Sequence, residues 1–197
     1  KLLLLKGKNN TIKGKQKKIG IGVVIKQGIL ENPAKIVYLA IGSNLGNKLH
    51  NIEIAKFKLQ SYKIEIIKCS SKYETLSWPD PKNPTFINIV IKIKTFLPPD
   101  KLQQICEIIE NDLGRKRLKR NDPRTCDIDI IDYNKKILKH KKWQNLILPH
   151  PRMDKRNFVL LPLFEISKTW IHPVKKINIK KLINSLSIQS LKCIKQI

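Results

Sequence analysis

The segment Arg120–Tyr133, RNDPRTCDIDIIDY, sets two aspartates two residues apart inside an apolar run, directly after a cluster of cations. In an extended chain Asp127 and Asp129 point to the same side, about 6.5–7 Å apart at Cα. Carboxylates that close repel unless a cation lies between them. Mg2+ takes one or two carboxylates and fills its octahedron with water and phosphate oxygens, and a pair of metals about 3.5–4 Å apart can clamp a phosphoryl group in transfer. A neutral amide at either position is expected to relieve the repulsion in the metal-free protein. Asp132 falls on the other side of such a strand, beside a turn at Asn134, and reads as a turn residue.

Arginine supplies the second half of this chemistry. Of the 40 basic residues only six are arginines, and Arg115, Arg117, Arg120, Arg124, Arg152 and Arg156 all fall in one 42-residue window. The lysines are spread along the chain. A guanidinium fork grips phosphate oxygens in pairs, whereas a lysine is a hydrated point charge. Metal plus arginine beside a flexible loop is the usual equipment for phosphoryl or nucleotidyl transfer, where stabilising spread negative charge is most of the work.

The net charge of +25 alone would suggest nucleic acid or an anionic surface. The abundance of Lys alongside 32 Ile points instead to a biased composition. Two rival readings stay open. One is a metal-dependent nuclease or nucleotidyltransferase using the same paired aspartates. The other is a non-enzymatic RNA-binding protein, although the aromatic–glycine signatures of the common RNA modules are missing.

The elements that must carry these residues follow from periodicity. KIVYLAI (35–41) reads as a buried strand, and Leu45, Leu49, Ile52, Ala55 and Leu59 then recur at helical spacing. YKIEIIKC (62–69) starts a second strand and TFINIVIKIKTF (85–96) a third with one wet face. Pro98 and Pro99 open a helix striped by Leu102, Ile105, Ile109 and Leu113, with Gly114 as its stop. CDIDIIDY (126–133) is the fourth strand. The order β-α-β-β-α-β predicts an α+β fold with a ferredoxin-like core, an antiparallel sheet with helices on one face, and extra C-terminal helices near 154–166 and 179–187 after a short strand NLIL.

Residues 1–33 are Lys- and Gly-rich and stand apart as a basic extension, with 34–197 as the main domain. The glycines of GIGVVIKQG are misplaced for a dinucleotide fingerprint, and no P-loop occurs. Four scattered cysteines without a C-x-x-C pair fit a reduced, cytoplasmic chain, and no apolar run is long enough to span a bilayer.

Five motifs in order resemble the 6-hydroxymethyl-7,8-dihydropterin pyrophosphokinase family of folate biosynthesis, over roughly residues 36–170. They are YLAIGSNLGNK, SKYET with PTFINIVIKIKT, IENDLGRKR, DPRTCDIDIIDY and LILPHPRMDKRNFVLLPLFEI. The resemblance implies transfer of pyrophosphate from ATP to the pterin's hydroxymethyl oxygen, with AMP released. It implies two Mg2+ ions on Asp127 and Asp129, with Arg115 and Arg124 catalytic. Glu110, Arg115, Arg117, Arg120, Ile130, His150 and Arg156 would serve the nucleotide, and Gly42, Thr75, Phe86, Asn88 and Phe158 the pterin. A flat heterocycle suits aromatic faces and an amide that both donates and accepts. The loop 117–124 is shorter than in some members, and LSWPDP (76–81) replaces a commoner Pro- and Gly-rich loop, which brings in Leu76 and Trp78. The implied partners are ATP and the pterin, with no nucleic acid or membrane, and a folate-pathway domain or enzyme upstream. Residues 1–33 would be the tail of such a domain.

Overall fold

The computed structural model describes residues 33–77, 80–115, 122–139 and 146–197. Expectations for residues 1–32, Trp78, Arg117 and Arg120 lie outside the described residues.

Strand β1 (Lys35–Ser43) is an inner strand of the sheet. It pairs antiparallel with β4 (Phe86–Thr95) on one side and β5 (Asp127–Tyr133) on the other. Because β1 covers β4 from Ile87 to Thr95, both β2 (Glu65–Cys69) and β3 (Tyr73–Thr75) pair with the opposite edge of β4. They are two halves of one interrupted strand. At the break, Ser70 stays tied to β4: its N–H donates to the Val90 carbonyl at 2.9 Å and its hydroxyl accepts from the Val90 N–H at 3.0 Å. The sheet order β5-β1-β4-β2/β3 is the expected ferredoxin-like arrangement.

Helices α1 (Lys48–Ser61) and α2 (Pro99–Asp112) cover one face. Val37, Leu39, Ile41, Ile128 and Ile130 from the strands meet Ile52, Ala55, Leu59, Leu102, Cys106 and Ile109 from the helices in one core cluster. Helix α1 starts only at Lys48, where the Asn47 side chain accepts from the His50 N–H at 3.1 Å. Leu45 therefore precedes the helix, Leu49 lies in its first turn, and both are exposed outside the buried stripe of Ile52, Ala55 and Leu59. Helix α2 runs as expected to Asp112, and Gly114 ends it with a φ of +79°. Strand β2 begins three residues later than read, because Tyr62 caps α1 and Lys63 turns with a positive φ.

Helices cover part of the opposite face as well, which corrects the expectation of helices on one face only. Helix α3 (Asn157–Ile166), after a single 3-10 turn at Met153–Lys155, packs Val159, Leu160 and Leu163 with Trp170, Tyr38, Val90 and Ile131. Helix α4 (Ile179–Asn184) adds Ile179 and Leu182. The expected strand NLIL is an isolated bridge between Leu138 and Leu148, and the stretch 179–187 holds only the short α4. Helix α5 (Ile188–Lys192) and β6 (Ile194–Gln196) follow, and β6 pairs with β3. Among the described residues no helix is long and apolar enough to cross a membrane.

Asp132 corrects a face assignment. The β1–β5 register steps from Leu39↔Ile130 to Tyr38↔Asp132, so β5 carries one extra residue there. That bulge turns Asp132 onto the α3 side, where Oδ2 accepts from Trp170 Nε1 at 2.8 Å. The turn role survives, since Oδ1 accepts from the Lys135 N–H at 2.9 Å. Burial raises the carboxyl pKa, against the pull of those two donors. Both oxygens are therefore needed as acceptors. Asp132→Asn should lower unfolding stability by about 1–3 kcal/mol, because one buried donor then faces an NH2 group. Chemical denaturation at neutral pH measures this, and an unchanged midpoint would show that water or a rearranged side chain satisfies the orphaned donor.

Candidate active site

Alternation along three strands builds one floor. In the ladder Asp127 lies opposite Gly42, and Gly42 lies opposite Asn88, so these residues form a row across β5, β1 and β4. Asp129 and Ala40 form the next row. Small residues at 40 and 42 leave open space between the carboxylates and the amide. The result is a cleft of about 560 Å³, with Asp127 and Asp129 on its β5 side, Thr75, Phe86 and Asn88 on its β3–β4 side, and Arg124, Arg156 and Phe158 also in its lining.

Gly42 is required by close approach. A Cβ there would sit 2.8 Å from Asn88 Oδ1. The Asn88 amide is otherwise held by donating from Nδ2 to Thr75 Oγ1 at 3.0 Å. Gly42→Ala should push the amide away from Thr75 and weaken binding of a flat heterocycle by about tenfold or more, since one misplaced hydrogen-bonding group is worth about 1.5 kcal/mol. Direct titration of the pterin that the resemblance implies reads it, and unaltered affinity would exclude Asn88 from ring recognition.

The repulsion between the carboxylates is compensated by arginines. Asp127 Oδ1 pairs with Arg115 Nη1 at 2.7 Å and Oδ2 with Arg124 Nη2 at 2.6 Å. Asp129 Oδ2 pairs with Arg156 Nη1 at 3.0 Å. Burial pushes the Asp127 carboxyl up, but the Arg124 and Arg115 guanidiniums outweigh it and hold the carboxyl below its ordinary value. The expectation of uncompensated repulsion is thus overturned: each aspartate has its own arginine counter-charge. Arginine and aromatic ring are also paired. Arg124 lies 4.9 Å from the Phe86 ring centre and Arg156 5.4 Å from that of Phe158.

His150 stands between Pro149 and Pro151, and its N–H donates to the Ile131 carbonyl at 2.9 Å. Its Nδ1 accepts from the Arg152 N–H at 3.2 Å, which places the neutral ring's proton on Nε2. Nε2 faces Asp129 Oδ2 at 3.6 Å and Arg156 Nη1 at 3.5 Å. Burial lowers the imidazole pKa; Asp129 opposes this, and Arg156 and Arg152 reinforce it.

Two expected nucleotide residues sit elsewhere. Ile130 packs its side chain into the α1–α2 core, on the face opposite Asp129, as alternation demands. Glu110 is buried on α2, where Oε1 accepts from the Ile128 N–H at 2.7 Å and pairs with Arg115 Nη1 at 2.5 Å. It buttresses Arg115 and the start of β5.

Asn44 was missed by residue-type reasoning. Its Oδ1 accepts from the Arg124 N–H at 2.7 Å, its own N–H donates to the Arg124 carbonyl at 3.0 Å, and Nδ2 donates to Ser77 Oγ and the Pro84 carbonyl, each at 3.2 Å. It locks the loop before β5 to the end of β1. The asparagine directly after a strand and Gly42-Ser43 was the available signal. Arg152, Lys155, Asn157, Ser190 and Cys193 also line the cleft. Leu76 does too.

Among the described residues no group of three or more His, Cys, Asp or Glu side chains could hold a metal by itself. Asp127 and Asp129 are a hard-oxygen pair on one cleft wall, which fits Mg2+ if phosphate oxygens and water supply the remaining ligands.

Residues 38–168 match the family described as 7,8-dihydro-6-hydroxymethylpterin-pyrophosphokinase. The chain is 35% identical over 158 residues to 2-amino-4-hydroxy-6-hydroxymethyldihydropteridine pyrophosphokinase of Aquifex aeolicus, covering 80% of this chain and 96% of that protein. It is 39% identical over 143 residues to folic acid synthesis protein fol1 of Pneumocystis carinii, covering 73% of this chain but only 19% of that longer protein. With folic acid synthesis protein FOL1 of Dictyostelium discoideum the identity is 42% over 147 residues, covering 75% of this chain and 22% of the relative. The fold is shared with the wild-type HPPK-DHPS of Plasmodium falciparum, at a TM-score of 0.59 and 18% identity, covering 79% of this chain and 45% of that one.

Proposed function

The chain belongs to the 7,8-dihydro-6-hydroxymethylpterin-pyrophosphokinase family, and from that premise we propose that it transfers the terminal pyrophosphoryl group of ATP to the hydroxymethyl oxygen of 6-hydroxymethyl-7,8-dihydropterin, releasing AMP. The observation that carries this reading is the two-sided cleft. Paired carboxylates line its β5 side, a fixed amide with an aromatic ring lines its β4 side, and Arg124 and Arg156 each reach from a carboxylate to a ring. A nuclease or an RNA-binding surface has no use for an amide fixed beside an aromatic ring in that cleft.

Asn88, held by Thr75, reads the donor–acceptor edge of the pterin, and Phe86 and Phe158 offer faces to the ring. Bringing both substrates to one cleft removes most of the entropy cost of their encounter. Arg115, Arg124 and Arg156 move their guanidiniums from carboxylates to phosphate oxygens, which are equally good bidentate acceptors. Mg2+, with two ions the family expectation, would be held by Asp127 and Asp129 and would supply charge neutralisation of the phosphates and polarisation of the hydroxymethyl oxygen. Neutral His150 directs its Nε2–H toward Asp129 Oδ2 at 3.6 Å, beside the Arg156 guanidinium. Attack falls on the β-phosphorus, forming the new O–P bond as the bridge to AMP breaks and the hydroxyl proton is released to solvent.

Domains of this kind also occur inside longer proteins such as the two fungal and amoebal relatives, so a folate-pathway partner, fused or separate, belongs to this reading. The test is incubation with ATP, Mg2+ and the hydroxymethyl dihydropterin, followed by chromatography. AMP and the pterin diphosphate should appear together and only with all three present. ADP in place of AMP, or AMP without the pterin, would overturn the proposal.

A further inference from the structure

The chain returns to the cleft after the matched region ends. Ser190 in α5 and Cys193 between α5 and β6 line it. Two attachments hold this segment there. Asn157 Nδ2 donates to the Ser190 carbonyl at 2.6 Å, while Asn157 Oδ1 accepts from the Phe158 N–H at 2.6 Å. One side chain therefore ties α5 to the residue that carries an aromatic wall. On the other side β6 pairs with β3, with Thr75 opposite Ile194 and Tyr73 opposite Gln196, and the Ile197 N–H donates to the Lys72 carbonyl at 2.9 Å. Thr75 is the residue that holds the Asn88 amide.

A three-residue strand with a free edge is a weak support. Pairing with β6 closes that edge. The ion pairs described for Arg115, Arg124 and Arg156 run to Glu110, Asp127 and Asp129, and not to α5 or β6.

We propose that α5–β6 is a positioning element of the pterin side of the cleft, clamping the Phe158 wall and the Thr75–Asn88 wall at a set separation. The inference rests on the pyrophosphokinase reading and deepens it. Ring binding depends on this C-terminal clamp, and nucleotide binding does not.

The variant Asn157→Asp tests it. Aspartate keeps an oxygen for the Phe158 N–H but sets a carboxylate oxygen against the Ser190 carbonyl, which opens the clamp. The KM for the pterin should rise about tenfold, with the KM for ATP and kcat changing less than about threefold. A purely structural role would lower the melting temperature without that split. A second measurement needs no variant. Alkylation of Cys193 by iodoacetamide in the wild-type protein should slow severalfold when pterin is added, while exposed Cys69 on β2 reacts unchanged. Protection of Cys193 by pterin together with the KM split supports the clamp. An unchanged pterin KM, equal rises for both substrates, or an unprotected Cys193 in a protein that makes AMP overturns it. Failure of the wild-type chain to make AMP would instead remove the pyrophosphokinase reading on which the clamp depends.

Discussion

Asp127→Asn and Asp129→Asn should each lower AMP formation at least about a hundredfold, the scale seen when one preorganised electrostatic contact to a transition state is lost. An amide has the size of the carboxylate but not its charge, so it neither holds Mg2+ well nor keeps the arginines in place before substrate arrives. The two variants should differ in metal-free stability. Asp127→Asn leaves Arg124 and Arg115 without the carboxylate they share, although Arg115 retains Glu110. It should melt below wild type. Asp129→Asn loses one arginine pair from a more exposed carboxylate and should melt closer to wild type.

The pH dependence carries a definite sign. The Asp127 carboxyl is held below its unfolded value, so the stability it lends is present above the ordinary carboxylate range. It is lost as pH falls through the depressed folded value. The melting-temperature gap between wild type and Asp127→Asn should therefore be full at neutral pH and close in acid. Turnover near wild type in either variant would remove the paired aspartates from the chemistry, and a gap that widens in acid would contradict the arginine pairing.

Arg124→Lys should cut kcat/KM by about tenfold or more, a loss of about 1.4 kcal/mol in transition-state binding, although net charge is unchanged. The guanidinium makes three separated contacts: Nη2 to Asp127 at 2.6 Å, Nη1 to the Asp122 carbonyl at 3.3 Å, and its flat face over Phe86. A lysine ammonium can replace one. The backbone bonds to Asn44 should keep the loop in place, so the defect belongs to the fork. Lys58→Ala is the matching control. Its ammonium pairs with Asp112 at 2.7 Å between α1 and α2, away from the cleft, and its removal should change kcat/KM less than about twofold. Steady-state rates at two ionic strengths compare them. A harmless Arg124→Lys with a salt-sensitive Lys58→Ala would mean that only summed charge matters, and would favour the RNA-binding reading.

The core between the sheet and helices α1 and α2 was largely legible because periodicity marks buried faces, whereas the second cluster under α3 was not. Alternation placed Ile128 and Ile130 opposite Asp127 and Asp129, and the 3.6-residue spacing of Leu102, Ile105 and Ile109 marked the buried side of α2. Four strands and two helices in that order then leave few antiparallel topologies. The clustering of six arginines near two aspartates was equally visible, because it depends on residue type and distance along the chain.

What the tertiary structure alone decided depends on contacts between residues far apart in sequence. Nothing local announces that Arg156 pairs with Asp129, 27 residues away, or that Asn44 holds Arg124, 80 residues away. The expectation of uncompensated carboxylates failed for that reason: charge compensation is set by three-dimensional neighbours, and a pKa sums over all of them. The bulge that turns Asp132 toward Trp170 is a one-residue mismatch between β1 and β5, legible only when both strands are in register. The return of β6 to β3 was missed for a related reason. Three residues are too short to show a period, and their strand character comes wholly from the edge they pair with.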